Sequence, residues 1–408
     1  MNQSVAHGGD PGVDRLLPVT SWALYDFANT IFYAVVVTLC LPPHILGMTG
    51  KHTFINWGFV PAMLAAAFVA PWLGGFVGHR GLSKKAVLLL TLLCAASTAC
   101  LAAVRSPWAL VGVFAAAQVF YQLALVPYNN LLPAVASPGK MGRVSGLGVG
   151  LGYVGVIVSI WFVKKLMDVF PGYSTAYLAA AVLFALFTIP FWCFVPEKPL
   201  DRKTAPPRLR DSLSLLKNAT RVRFVIGNFL CADALNAIFI FMVPFLSKGL
   251  GYDNETIIDT LIFLNLAAFP GGLLCGVLAD LFTPRRTMIV SAILLGSAIG
   301  IAQFSGLEAI TFWSIVLLGG PGVAGLWVAG RKWVVQLAPE GETGSLFGVY
   351  GLTNKLSLVN FIFFSLLADL TGGYTWSVIV LLASLALGVA FLWSARGPVQ
   401  RSAVVSEN

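Results

Sequence analysis

Apolar runs of about twenty residues recur along the whole chain, separated by short polar breaks. A run of that length crosses a hydrocarbon core roughly 30 Å thick when it is helical. The alternation of a membrane barrel is absent, and lipid-exposed backbone must bond internally, so the pattern predicts helices throughout. Twelve are expected, at residues 19–41, 55–78, 86–104, 107–135, 144–164, 175–195, 224–247, 256–279, 287–306, 309–337, 345–368 and 375–395. Pro127, Pro133 and Pro270 are expected to kink the fourth and eighth. The one extended polar stretch inside the chain, EKPLDRKTAPPRLRDSLSLLKNATRVR, parts the helices six and six. The expected organisation is a tail (1–18), a first six-helix bundle (19–196), a basic linker (197–223), a second six-helix bundle (224–396) and a closing tail (397–408).

The two halves repeat one another. DFANTIF (Asp26 to Phe32) in the first helix and DALNAIF (Asp233 to Phe239) in the seventh share the pattern D-x-x-N-x-I-F. At a constant offset of 201 residues, Gly75, Val77, Gly78 and His79 meet Gly276, Leu278, Ala279 and Asp280, and Lys84 and Lys85 meet Arg285 and Arg286. Six spans per half return the second copy to the side on which the first began, so the repeat is parallel, about an axis along the membrane normal. The expected fold is an all-α membrane protein, with 12 transmembrane helices in two six-helix bundles related by that repeat.

Composition agrees. Hydrophobic residues make up 58 % of the chain and charged ones 11 %, with a mean hydropathy of +0.84, against about 25 % charged in soluble proteins. The net charge of +9 comes from the loops: with a cytoplasmic N-terminus, 18 of the 26 Lys and Arg fall on that side. Five (Lys51, Arg105, Lys164, Lys165 and Lys248) fall opposite. That asymmetry predicts both termini in the cytoplasm, and a bacterial inner membrane is expected. No soluble basic domain exists to bind nucleic acid. Residues 1–18 lack a basic start followed by a short apolar core, so no cleaved signal is expected. The six cysteines all lie in apolar segments without a C-x-x-C or Cys/His cluster, so reduced packing residues are expected, with no metal and no cofactor. A Walker motif is absent, which disfavours ATP-driven transport.

Four charged side chains inside the spans then need an explanation. Asp26, Asp233, Arg331 and Lys355 would together cost on the order of 10 kcal/mol facing lipid, so a central cavity between the halves is expected to receive them. Trp22, Asp26, Asn29 and Tyr33 fall at i, i+4, i+7 and i+11, one helical stripe, and Phe229, Asp233, Asn236 and Ile240 repeat it. Asp26 and Asp233 are thereby expected to form a symmetric pair that takes and releases a proton as its solvation alternates. The alternative is that they bond only helix backbone or a cation. Gln118, Gln122 and Asn129 share a stripe of the fourth helix, beside Tyr121 and Tyr128, and Trp327 and Arg331 share one of the tenth. With Trp22, Asn29, Tyr33 and Asn236 these suit a polar ligand, although amides serve equally as interhelical bonds. Arg331 and Lys355 fit either an anionic substrate group or internal pairing with Asp26 or Asp233, and Lys332 is expected to snorkel. The glycines of GRVSGLGVGLGYVG read as close helix packing. No catalytic residue is expected, because an intramembrane transferase needs clustered carboxylates and the two aspartates stand in separate helices.

Gly276-Val-Leu-Ala-Asp280 followed by Arg285-Arg286 closely resembles the loop signature between helices two and three, and eight and nine, of the major facilitator superfamily. The first copy departs from it, with His79 in place of Asp. SWALYDFANTIFYAVVVTLCLPPHI, VPYNNLLPAVASPGKMGRVSGLGVGLGYVG and LFGVYGLTNKLS further resemble its vacuolar amino-acid effluxer (autophagy-related) branch. The resemblance implies a monomeric secondary transporter in the bilayer that moves a small metabolite by alternating access. Amino acids are the nearest cargo, coupled to protons. Movement of an organic anion or a metal-chelating metabolite is the alternative. His79, Asp280, Arg285 and Arg286 are expected to gate, with Asp280 placed at the N-terminus of the eleventh helix near Gly344 and Ser345.

Overall fold

A computed structural model describes residues 13–49, 52–197, 209–357 and 359–396. Much of the predicted linker and of both tails lies outside these residues, as does the side chain of Ile240. The membrane helices are α1 (Leu16–Thr49), α2 (Asn56–Arg80), α3 (Ser83–Leu101), α4 (Pro107–Asn130), α5 (Met141–Val169) and α6 (Tyr173–Phe194). The second half contributes α7 (Ala219–Pro244), α8 (Asn254–Leu281), α9 (Pro284–Phe304), α10 (Glu308–Leu337), α11 (Thr343–Leu356 and Val359–Thr371) and α12 (Thr375–Ser394). Local chemistry sets several ends. Gly81 closes α2 at φ 61, Asn218 caps α7 by accepting from Thr220 and Arg221 N–H, and Asp253 caps α8.

Three departures from the predicted helices have physical causes. The fourth helix stops at Asn130 and not at residue 135, because Pro133 sits at the start of a separate turn, Leu132–Val135. The first helix runs on to Thr49 through a π-helical stretch, Phe32–Cys40. The eleventh breaks at Ser357, where side chains take over backbone acceptors. Ser357 Oγ donates to the Asn354 carbonyl at 2.7 Å, and the Asn236 amide of α7 donates to the carbonyls of Asn354 and Ser357 at 3.4 and 3.3 Å. The two pieces are each too short to span, so eleven helices among the described residues meet the length and apolarity of a membrane span.

Each half has its own core. Trp22, Tyr25, Phe114, Tyr128, Tyr177 and Phe184 lie at the centre of the first, and Phe224, Leu235, Trp333, Phe347 and Tyr350 at that of the second. Between the halves α5 packs along α8 and α2 along α11. The parallel repeat maps α2 onto α8 and α5 onto α11, so these are one contact made twice. Backbones touch there through glycine: Gly142 and Gly146 against Gly276 and Gly272, Gly74 and Gly78 against Gly344. All of these contacts lie toward the ends that carry the chain termini and the basic loops. That face is termed here the terminal face, and the two bundles meet across it through these glycines.

Candidate functional site

Asp26 sits ten residues into α1, about 15 Å along it. It is 4 % exposed, and its partner comes from the other half of the molecule. Arg331 of α10 donates Nη1 to Oδ2 at 2.5 Å and Nη2 to Oδ1 at 3.1 Å, a bidentate fork. Asn29, one turn along α1, donates Nδ2 to Oδ1 at 3.0 Å. Aromatic rings fix the guanidinium, with Cζ 5.8 Å from the Trp22 ring and 5.5 Å from the Tyr128 ring. Trp22 and Tyr128 stack at 4.5 Å, and each donates to the other's carbonyl at 3.2 Å. Gly148 of α5 leaves room for the carboxylate, since a Cβ there would lie 2.7 Å from Asp26 Oδ2 and 3.1 Å from Trp22.

The two stripes are not symmetric in the contacts they make. Asp26 is joined to Arg331, and Asn236, the counterpart of Asn29, turns to the break in α11, with Nδ2 2.8 Å from Ser357 Oγ. The halves differ because the position facing Asp26 is an arginine, whereas the α7 stripe meets a helix end rich in carbonyls. Asp233 is buried, at 2 % exposure, one turn before Asn236. Asn228, which the stripe analysis passed over, donates to Asn354 Oδ1 at 2.9 Å and Thr353 Oγ1 at 3.3 Å. Its spacing of eight from Asn236 was the available signal. A cavity of about 10 Å³ is lined by Asn228, Trp327, Tyr350 and Asn354 among others. A larger one, about 70 Å³, lies within the second bundle and is walled by apolar residues such as Ile238, Phe241, Leu295 and Phe364, with no group for a polar ligand.

Lys355 is 3 % exposed and donates to the Gly351 carbonyl of its own helix at 3.2 Å. No ion pair forms at this ammonium among the described residues. Gly351, the residue it bonds, faces Ala70 of α2 and Val126 of α4, so Lys355 stands at the seam between the halves. The amides of α4 divide. Gln118 is fully buried and donates to Met63 Sδ at 3.7 Å, which places it in the packing of the first bundle. Its Oε1, and Oδ1 of Asn129, are buried and accept no hydrogen bond among the described residues. Gln122 and Tyr33 are half-buried, and the Tyr33 ring lies 6.2 Å from that of Tyr121.

At the terminal face Asp280 caps a helix, but not the one expected. Its Oδ1 and Oδ2 accept from the backbone N–H of Gly142 (2.7 Å) and Arg143 (2.9 Å), the first turn of α5, not of α11. The repeat explains the correction: the start of α11 is the partner of α2, so Gly344 lies against Gly74 and Gly78, beside His79. Lys332 does not snorkel. It is 3 % exposed and donates Nζ to Asp280 Oδ1 at 2.6 Å and to the Ala279 carbonyl at 3.0 Å. One carboxylate thus ties α5, α8 and α10 together. Arg285 and Arg286 open α9, where Thr283 caps Arg286 N–H.

Comparison with known proteins fits this architecture. The family profile described as Major Facilitator Superfamily matches residues 23–357 and 224–407. The MFS-type transporter YxiO of Bacillus subtilis (strain 168) is 25 % identical over 400 residues, 91 % of this chain and 93 % of the relative. Among solved structures, the human organic anion transporter MFSD10 (TETRAN) superimposes with a TM-score of 0.73 at 13 % identity, covering 93 % of this chain and 99 % of that one. A bacterial homologue of the iron transporter ferroportin, in an outward-facing state, gives 0.73 at 16 % identity with the same coverage.

Proposed function

The chain belongs to the Major Facilitator Superfamily and is a multi-pass transporter, not an enzyme, and we propose that it moves a small zwitterionic metabolite of the amino-acid kind. The observation that carries this reading is the Asp26–Arg331 bridge between the two halves. A zwitterion can replace both partners at once, its carboxylate on Arg331 and its ammonium on Asp26, with no net change of buried charge. A simple anion would leave Asp26 without a counter-charge, at a cost of several kcal/mol. Resemblance to the vacuolar amino-acid effluxer branch supports the same cargo.

In this proposal the ligand lies among Trp22, Asn29, Tyr33, Gln122, Asn129, Asn236 and Trp327, and the unsatisfied oxygens of Gln118 and Asn129 are acceptors a ligand donor can meet. Asp26 and Asp233 couple transport to protons, and Asp280, with His79, Arg285 and Arg286, biases the gate. The terminal face is cytoplasmic, the membrane is a bacterial inner membrane, and the transporter works as a monomer. Alternating access then consists of opening the α5–α8 and α2–α11 seams while the bridge breaks. A second reading, an organic anion, draws on Lys355, a buried lysine at the seam with no ion-pair partner among the described residues.

A thermal-shift panel on the purified protein tests this. Amino acids are compared with analogues lacking the amine or the carboxylate. A ligand at 100 times its Kd stabilises by about 2.7 kcal/mol. The expected result is stabilisation by one or more amino acids, by neither analogue, and not in Arg331→Gln. Equal stabilisation by the carboxylic acid without the amine selects the organic-anion reading.

A further inference from the structure

The internal repeat relates two places on the terminal face, and one of them carries its own anion. In the first bundle Lys84, at the start of α3, holds Nζ 5.2 Å from the ring of Trp192, at the end of α6. Glu197 then folds back, and its Oε1 accepts from the Lys84 backbone N–H at 3.0 Å. The cation, the indole and the carboxylate complete one another.

In the second bundle the offset of 201 turns Lys84 and Trp192 into Arg285 and Trp393. The same stacking follows, with Arg285 Cζ 5.7 Å from the Trp393 ring. The sequence does not repeat the carboxylate: Pro398 stands at the position of Glu197, and Arg396 at that of Val195. Cations gather where the first bundle is neutralised. Arg286 and Arg396 are near enough for their charges to act on Arg285, and Arg223 donates Nη1 to the Ser394 carbonyl at 3.0 Å, at the end of α12. None of these four arginines makes an ion pair with Asp or Glu among the described residues. Arg285 Nε is buried and has no hydrogen-bond acceptor among the described residues.

We propose that this notch between α9 and α12 binds the phosphate of an anionic phospholipid, which stands where Glu197 stands in the first bundle. Guanidinium groups suit phosphate because they donate in pairs to its oxygens. The surroundings select a lipid over a soluble anion. Trp393, on which Arg285 lies, is 56 % exposed, and Leu281 and Phe282, four and three positions before Arg285 in the chain, are 65 % and 60 % exposed, an aromatic and apolar surrounding suited to a membrane interface. Val290 and Leu387 are exposed on α9 and α12, which pack against each other, five and six positions along these helices from Arg285 and Trp393, and offer apolar side chains to an acyl chain. Basic pockets between helices on the positively charged side are the setting in which anionic headgroups bind.

The test uses the purified full-length protein in detergent, titrated with phosphatidylglycerol, phosphatidylcholine or inorganic phosphate and read by native mass spectrometry. The expected result is a phosphatidylglycerol adduct at least tenfold tighter than that of phosphatidylcholine and not displaced by equimolar inorganic phosphate. Arg285→Gln with Arg396→Gln should weaken it at least tenfold, whereas Lys84→Gln, at the site Glu197 fills, should leave it unchanged. If the double variant does not fold, Arg396→Gln alone, on an exposed side chain, should weaken it at least threefold. Undiminished adducts in the arginine variants, equal binding of the two lipids, or displacement by inorganic phosphate would each overturn the proposal.

Discussion

Arg331 and Asp26 lie 305 positions apart in the chain and meet in a buried, bidentate ion pair that joins α10 of one bundle to α1 of the other. Neither is affordable alone in the membrane, where each charge costs about 2.5–3.5 kcal/mol on insertion scales. Together they make a contact that the proposed alternating access has to break. The D-x-x-N element of the first helix is explained by this pairing: the aspartate receives the arginine and the asparagine steadies the carboxylate at 3.0 Å.

Removing one partner should be worse than exchanging both. Asp26→Asn leaves Arg331 buried and unpaired, at an expected cost of about 3–5 kcal/mol. The double exchange Asp26→Arg with Arg331→Asp should recover part of that loss. Thermal unfolding of wild type, Asp26→Arg, Arg331→Asp and the double exchange in detergent measures it. A double exchange less stable than both single variants would show that the pair has no mutual coupling.

Gly148 and Gly112 form a matched test of the space around the bridge. A methyl group at Gly148 would meet Asp26, Trp22 and Tyr128 Oη within 3.4 Å, whereas at Gly112 nothing lies within 4 Å. Gly148→Ala should therefore lower both melting temperature and transport. Gly112→Ala should be neutral or stabilising by up to about 1 kcal/mol, the difference in helix propensity. Two variants with indistinguishable melting curves would contradict the packing described around Asp26.

Asp280 is expected to hold the terminal face shut. Asp280→Asn loses the charge that caps α5 and the ion pair to Lys332, interactions of which each charge-assisted hydrogen bond is worth roughly 1.5–3 kcal/mol. Labelling of a cysteine introduced near the start of α5 should rise several-fold. His79→Asn, in the other copy of the motif, should change it much less. Equal increases in the two variants would remove any mechanistic weight from the asymmetry.

The residues differ in how far the sequence disclosed them. Helix number, the parallel repeat and the set of buried charges follow from local composition, because span length and the cost of charge in lipid act residue by residue. The partners follow only as alternatives: Arg331 fits Asp26, Asp233 or a substrate, and nothing local points Asp280 to α5. Asp26 with Arg331, and Asp280 with α5, are set by how one bundle docks on the other, and the first is asymmetric where the repeat predicts symmetry. The break in α11 was equally hidden, since no proline or glycine marks Ser357 and the carbonyls there are taken by Asn236 from α7. Lys332 was misread for the same reason: its anion comes from α8, 52 positions away.

Lys355 is a second buried basic residue, besides Arg331, at which a substrate carboxylate can be met. If it meets the carboxylate of a substrate, Lys355→Gln should weaken binding at least tenfold, about 1.4 kcal/mol, with the folded yield retained. Isothermal titration with an amino acid identified by thermal shift is the check. Unchanged affinity would assign Lys355 to the seam between the bundles alone.

The most direct test of the account is counterflow in proteoliposomes loaded with one unlabelled amino acid and diluted into the same compound in labelled form. The prediction is transient accumulation of label with wild-type protein, its loss in Arg331→Gln, and no accumulation with the analogue that lacks the amine. Exchange that persists in Arg331→Gln, or that proceeds equally with the amine-free acid, would contradict a zwitterion carried at the Asp26–Arg331 bridge.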